Sequence, residues 1–183
     1  MANNSANVTA GKPRIGGGIY IAPAGTTLPT DAKTALSSDF LALGYVSEDG
    51  VVNSNSPESE NIKAWGGDNV LTIMTSREDT FTFTLIEVMN INVLKLVYGD
   101  DNVSGALSTG ITVTANNGEL ESHVIVIDTI LKGGVMQRTV IPAGTVSEVG
   151  DITYKDDEAV GFETTVSCEA DASGNTHYTY IQS

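Results

Sequence analysis

Side chains able to do chemistry are few in this sequence, and they are scattered. The two histidines, His123 and His177, both fall in segments that read as strands, and no spacing ties either to a nucleophile and an orienting carboxylate. Packing or hydrogen bonding is the role expected of each. Adjacent carboxylates stand at Asp100-Asp101 and Asp156-Asp157, a pairing that acid–base catalysis could use. Both pairs lie in turn contexts with no calcium-loop spacing around them, so solvated loop acids are expected. Cys168 is the single cysteine, which leaves no intramolecular disulfide and no Cys/His zinc cluster. It sits on the apolar side of its strand, the setting of a buried, inert thiol. Gly16-Gly17-Gly18 invites comparison with a nucleotide loop, yet it precedes a strand instead of opening a helix. It also lacks the P-loop lysine and the GxGxxG spacing. The expected catalytic, cofactor-binding and metal-ligating residues are therefore none.

The 183 residues suit one domain, or one domain with arms, and a fold of that length buries roughly 70% of its unfolded surface. No covalent staple is needed. The opening "MANNSANVTAGKPRIGGGIYIAPAG" has no signal-peptide apolar core, and no apolar run approaches the roughly 18 residues of a membrane span. A soluble chain made in a cytoplasm is expected, and the Asn7-Val8-Thr9 and Asn102-Val103-Ser104 sequons are read as chance. Nine Lys+Arg face 23 Asp+Glu, a formal net charge of −14. That is the wrong sign for gripping nucleic-acid phosphates. The charge serves solubility, or marks a surface that must not stick to polyanions.

The elements that would position any site are nearly all strands. Residues 1–14, rich in Asn, Ser, Ala and Gly, read as a mobile arm. A short strand follows at Ile15–Ala22, and "TTLPTDAKTALSSDF" reads as a loop with a turn or two of helix. "LALGYVSEDGVVNSNS" reads as strand, Asp49-Gly50 turn, strand. From Asp79 to Ile86, Phe81, Phe83 and Leu85 alternate with Thr80, Thr82 and Thr84, the period-2 mark of one packed and one polar face. Val70–Ser76 alternates less cleanly. One helix is expected, Ile91–Tyr98, capped by Asn90 and stopped at Gly99, with Ile91, Leu94 and Val97 along one side. Too short to stand alone, it must lie against a sheet. Strands resume at Gly110–Ala115, Ser122–Leu131, Val135–Ile141 after a Gly133-Gly134 turn, Ala159–Glu169 and His177–Ile181. Val160, Phe162, Thr164, Val166 and Cys168 point one way; Gly161, Glu163, Thr165, Ser167 and Glu169 point the other. "VIVIDTIL" is apolar on both faces, as in a central strand or a subunit contact.

In order along the chain, "LGYVSEDGV", "IKAWGGDNVLTIMTSREDTFTFTLIEV" and "NVLKLVYGDDNV" resemble the major tail tube proteins of long, non-contractile-tailed bacteriophages. The likeness covers about residues 16–103 well and the rest loosely. It implies two packed β-sheets, sandwich- or barrel-like, with one short flanking α-helix, no enzyme, and hexameric rings that stack into a hollow virion tail tube for DNA ejection. The tape measure, tail terminator and distal tail proteins would be further partners, and double-stranded DNA would pass without binding. No membrane partner is implied, and no additional immunoglobulin-like domain is expected. In that family the termini and a long loop between early strands reach into the neighbouring ring. Carried over, the loop is about Asn53–Asn69, with Ile62, Lys63, Trp65, Gly66 and Gly67 as the candidate inter-ring contact. Trp65 admits two readings, core packing or contact, and its Ser/Asn/Glu surroundings offer no core of their own.

Candidates for the face lining the lumen are Glu78, Thr80, Thr82 and Thr84 together with Glu163, Thr165, Ser167 and Glu169, although an outer wall fits the alternation equally well. Six copies at −14 carry −84 per ring, a charge shared between wall and lumen. Lumenal acids would hold DNA off within a Debye length of roughly 8 Å at physiological salt. Two rival classes stand beside this reading. A tube protein of a bacterial secretion or contractile injection system shares the architecture, and a carbohydrate-binding β-sandwich would need solvent-facing aromatics on a platform.

Overall fold

In a computed structural model the chain is described over residues 3–183. Eleven strands run through the described residues. They are β1 (Lys12–Pro13), β2 (Ile19–Pro23), β3 (Leu41–Ala42), β4 (Val46–Lys63), β5 (Asn69–Leu85), β6 (Val103–Ala106), β7 (Gly110–Val113), β8 (His123–Ile130), β9 (Met136–Val149), β10 (Phe162–Glu169) and β11 (Tyr178–Gln182). Among the described residues the single α-helix, α1, is Ile91–Tyr98, as its sequence predicts. Asn90 Oδ1 accepts from the Asn92 N–H at 3.0 Å, and the Gly99 N–H closes the last turn on the Lys95 carbonyl at 2.8 Å.

The strands form two sheets. Nine belong to one antiparallel sheet with the path β3-β2-β8-β9-β10-β5-β4, from which β1 joins β8 and β11 joins β9; β6 and β7 pair separately. Ile19 and Ile21 near one end of that path share a single core with Phe81, Phe83 and Leu85 near the other, so the sheet must roll onto itself. Its inward row is the alternation read from sequence. Phe81, Phe83 and Leu85 stand opposite Val166, Thr164 and Phe162 of β10. Each such buried apolar side chain contributes about 1.5–3 kcal/mol. Helix α1 closes the core with β6 and β7, burying Val93, Leu94, Leu96 and Val97 and setting Tyr98 edge-on to Phe162. A mainly β fold with one flanking helix is thus what the chain adopts.

Strand β8 is buried on both faces, as its two-sided apolarity requires. Ile125 and Ile127 enter the main core, while Val124 and Val126 lie with Phe40, Ala22 and Val140 in a second cluster, against which Leu28 and Leu36 of the long loop pack. That loop, 24–40, contains no helix, contrary to the turn or two expected. Its backbone is held by side chains instead. Asp31 Oδ1 accepts from the N–H groups of Lys33 and Thr34, and fully buried Arg138 donates to the Asp31 and Thr34 carbonyls at 3.1 and 2.8 Å. The same guanidinium grips Asp128 on β8 with two bonds, Nε–Oδ1 at 2.7 Å and Nη2–Oδ2 at 2.9 Å, and Arg14 adds a third at 3.1 Å.

Strand β9 bends the sheet. One of its edges pairs first with β11 and then with β10, and Pro142, without an N–H, sits where the partner changes. The Asp49-Gly50 turn needs correction. Val46 pairs with Leu85 and Val51 with Phe83, so residues 47–50 form a bulge inside one long strand, because the segments on both sides find the same partner, β5. Residues 1 and 2 of the expected arm lie outside the described residues. Of the rest, Lys12 and Pro13 pair with Ile130 and Thr129, and the Thr9 hydroxyl accepts from the Lys132 N–H.

Just before β4, Gly44 has φ of 81°, and a Cβ built there overlaps the Glu87 carboxyl group. That carboxylate accepts from the Tyr45 N–H at 2.9 Å and from Asn90 Nδ2 at 3.2 Å, linking the start of β4 to the cap of α1. Gly44→Ala is expected to cost about 1–3 kcal/mol through φ strain and the displaced carboxylate. The drop should appear as a lower urea midpoint with an unchanged slope.

Candidate assembly surfaces

The expected loop at 53–69 is mostly ladder. β4 and β5 pair from Asn53 to Lys63 and from Asn69 to Phe81, and only Ala64–Asp68 form the turn. The Ala64 N–H donates to the Asp68 carbonyl at 2.8 Å and the Gly67 N–H to the Ala64 carbonyl at 3.0 Å. Gly66 and Gly67 supply φ values of 121° and 96° that a side chain would resist. From Asn69 to Glu78 every β5 residue is exposed, so the two strands leave the body as a ribbon roughly 30 Å long. An isolated two-stranded ribbon is marginal in water.

Its distal third is apolar, and on more than one side. Trp65 at the turn is wholly exposed, which decides between its two readings against core packing. Ile62 pairs with Leu71, Ile73 follows on the same face, and Met74 lies on the opposite face, all exposed. Met74 takes the other face by the ordinary alternation of the strand, and a bulge at Thr75 follows it, where Glu58 pairs with Ser76 but Ser59 with Met74. Of the candidate contact residues, Ile62, Lys63, Trp65, Gly66 and Gly67 are brought together at the tip. Val70, Leu71, Ile73 and Met74, which the sequence analysis does not single out, stand exposed beside them.

The two rows of lumen candidates meet on one face. Thr84, Thr82 and Thr80 stand directly opposite Glu163, Thr165 and Ser167, and the Thr82 and Thr165 hydroxyls are 3.0 Å apart. Glu78 continues the row onto the ribbon and Glu169 ends it beside Ala143 of β9. Glu78, Glu163 and Glu169 are exposed and the others half-buried.

At the ribbon root the first buried residue is Asp79. Burial works against its charge, but hydrogen bonds from Thr176, Asn53 Nδ2 at 2.8 Å and His177 Nδ1 at 2.6 Å outweigh that and hold the carboxyl below its ordinary value of 3.8. The cluster ties β4, β5 and the approach to β11, with His177 also edge-on to Phe81. A carboxyl depressed in the folded state adds stability above its unfolded pKa and loses it as pH falls through the folded one. Thermal unfolding followed from neutral pH to below 3.8 should therefore show an acid loss that Asp79→Asn reduces.

The remaining chemistry-bearing residues fall apart from one another. His123 is buried with Nδ1 3.1 Å from the Glu121 carbonyl, and Asp156 and Asp157 are exposed in a bend. Asp100 and Asp101, in a 3-10 turn after α1, are exposed as well. Burial pushes the Cys168 thiol up to about 12. Among the described residues no group of three or more His, Cys, Asp or Glu is placed to hold a metal ion, and no helix is long and apolar enough to cross a membrane.

The described residues thus form a rolled sheet with one protruding, apolar-tipped ribbon and one broad polar face. The family model for phage tail tube protein matches residues 1–183, the whole chain, and the chain belongs to that family. It is a structural component of the virion tail. No curated protein matches the chain.

Proposed function

We infer that this protein is the major tail tube subunit, forming hexameric rings that stack into the conduit through which DNA is ejected. The observation that carries the reading is the ribbon. Its exposed Trp65, Ile62, Leu71, Ile73 and Met74 are affordable only if another subunit covers them, and family membership supplies the setting. A ring contact closes by rotation, whereas a stacking contact does not close and so builds a filament. In this reading the subunit is made in the host cytoplasm and meets the tape measure, terminator and distal tail proteins.

The continuous face of Glu78, Thr80, Thr82, Thr84, Glu163, Thr165, Ser167 and Glu169 lines the lumen in this reading. Hydroxyls and carboxylates without a cation let duplex DNA slide instead of holding it. Negative-stain electron microscopy of purified protein, fresh and concentrated, with sedimentation velocity alongside, tests the function. Hollow tubes or six-fold rings are expected. Strictly monomeric protein in every condition, even with tail-tip components added, would refute it.

A further inference from the structure

Arg14, Ile15, Gly16, Gly17, Tyr45 and Glu87 bound a cleft whose walls Arg14 and Glu87 fix through their bonds to Asp128 and to the Tyr45 N–H and Asn90, while Ile15 and the Tyr45 ring are left without a partner among the described residues. The cleft measures about 440 Å³, within the range of sites that hold a ring-sized group. Ile15 is 95% exposed and Tyr45 76% exposed, a large apolar investment at one place on the body. Glycines make one wall, so an aromatic could lie against backbone.

The position of the cleft decides what can fill it. Tyr45 and Glu87 flank the end of the β4–β5 pair where Val46 meets Leu85, and the Ile86 N–H donates to the Tyr45 carbonyl. The ribbon tip lies at the other end of the same two strands, roughly 50 Å away along the pair. A tip cannot fold back to a cleft at the opposite end of its own strands. A second copy in the same orientation, displaced along the strand direction by the length of the pair, would bring its tip to this cleft.

Charge agrees with that pairing. Trp65 is flanked by exposed Lys63 and Asp68, and the cleft is rimmed by one anion, Glu87, and one cation, Arg14. We propose that this cleft is the receptor for the ribbon tip of a second copy of the chain, taking the Trp65 indole between Ile15 and Tyr45. The contact is heterologous and leaves a free tip at one end and a free cleft at the other, so it propagates along the strand direction. This inference rests on the tail tube reading and assigns the acceptor in it.

The test is directional. Ala64→Cys and Ser47→Cys place thiols beside the tip and beside the cleft while leaving Trp65, Ile15 and Tyr45 in place. The raised pKa of Cys168 keeps the native thiol out of the reaction. With a short bis-maleimide, the double variant is expected to give a ladder of covalent oligomers and each single variant no more than dimers. Ile15→Asp, harmless to the fold at an exposed site, should raise the protein concentration needed for stacking roughly tenfold or more. Mixing Ile15→Asp, which keeps its tip, with Trp65→Ala, which keeps its cleft, should restore a single junction and give two-layer stacks without tubes. Tubes that form without the ladder, or Ile15→Asp protein that stacks like the wild type, would overturn the cleft assignment and leave the tube reading standing. Absence of both tubes and ladder would sink both.

Discussion

Arg138→Met protein is expected to unfold at a much lower denaturant concentration, with a loss of about 3 kcal/mol or more from a domain whose whole stability is of the order of 5–15 kcal/mol. Methionine keeps most of the volume, so the loss is electrostatic and polar. Asp128, itself buried, keeps only the Arg14 bond, and the carbonyls of Asp31 and Thr34 lose their donor. Breaking one side of a buried pair strands the other charge, which costs more than the pair was worth. Two measurements make the mechanism visible. Limited proteolysis should cut within residues 24–40 before the protein unfolds globally, because Arg138 is what holds that loop onto β8 and β9. Pairing the change with Asp128→Leu should recover part of the stability, with the two orphaned carbonyls setting the remainder. A single variant as stable as wild type would mean that the guanidinium is replaceable by water.

Trp65→Ala should do the reverse, leaving the subunit intact and removing its assembly. The indole touches no core, so the urea midpoint should move by no more than about 0.5 kcal/mol. A central aromatic in a protein contact is typically worth about 2 kcal/mol or more, roughly a thirtyfold change in affinity at each site. In the proposed ring every subunit would lose it at once, so tube growth is expected to stop at the ring stage. Unchanged tubes from this variant would move the stacking contact away from the tip. Leu71→Ser and Ile73→Ser, on the adjoining ribbon face, should give smaller effects of the same kind, since each removes a flanking contact without the anchor.

The period-2 rows of β5 and β10 were legible because side-chain direction in a strand is fixed by local geometry. Phe81, Phe83 and Leu85 had to face one way and the threonines the other, wherever the strand went. The helix was legible for the same reason, with its cap at Asn90 and stop at Gly99 both local. Two readings failed where local signals compete with partners far along the chain. Asp49-Gly50 is good turn chemistry, yet the ladder to β5 continues past it. The loop at 24–40 was assigned a turn or two of helix, while a buried arginine about a hundred residues away holds it without one. The long hairpin loop at about 53–69 came from the family resemblance, and its ladder with β5 was not legible because that register is set by the buried β5 residues at the root.

Sequence by itself determined the alternating faces, the capped helix, the β8 strand buried on both sides and the family to which the chain belongs, since each rests on local periodicity or on residue order. Tertiary structure alone decided that Thr82 and Thr165, more than eighty residues apart, meet on one face. It alone placed Trp65 at a tip away from any core, and it alone set tip and cleft at opposite ends of the same strand pair. The physical reason is that strand register depends on hydrogen bonds between distant segments, and a shift of one residue would send every side chain to the other face.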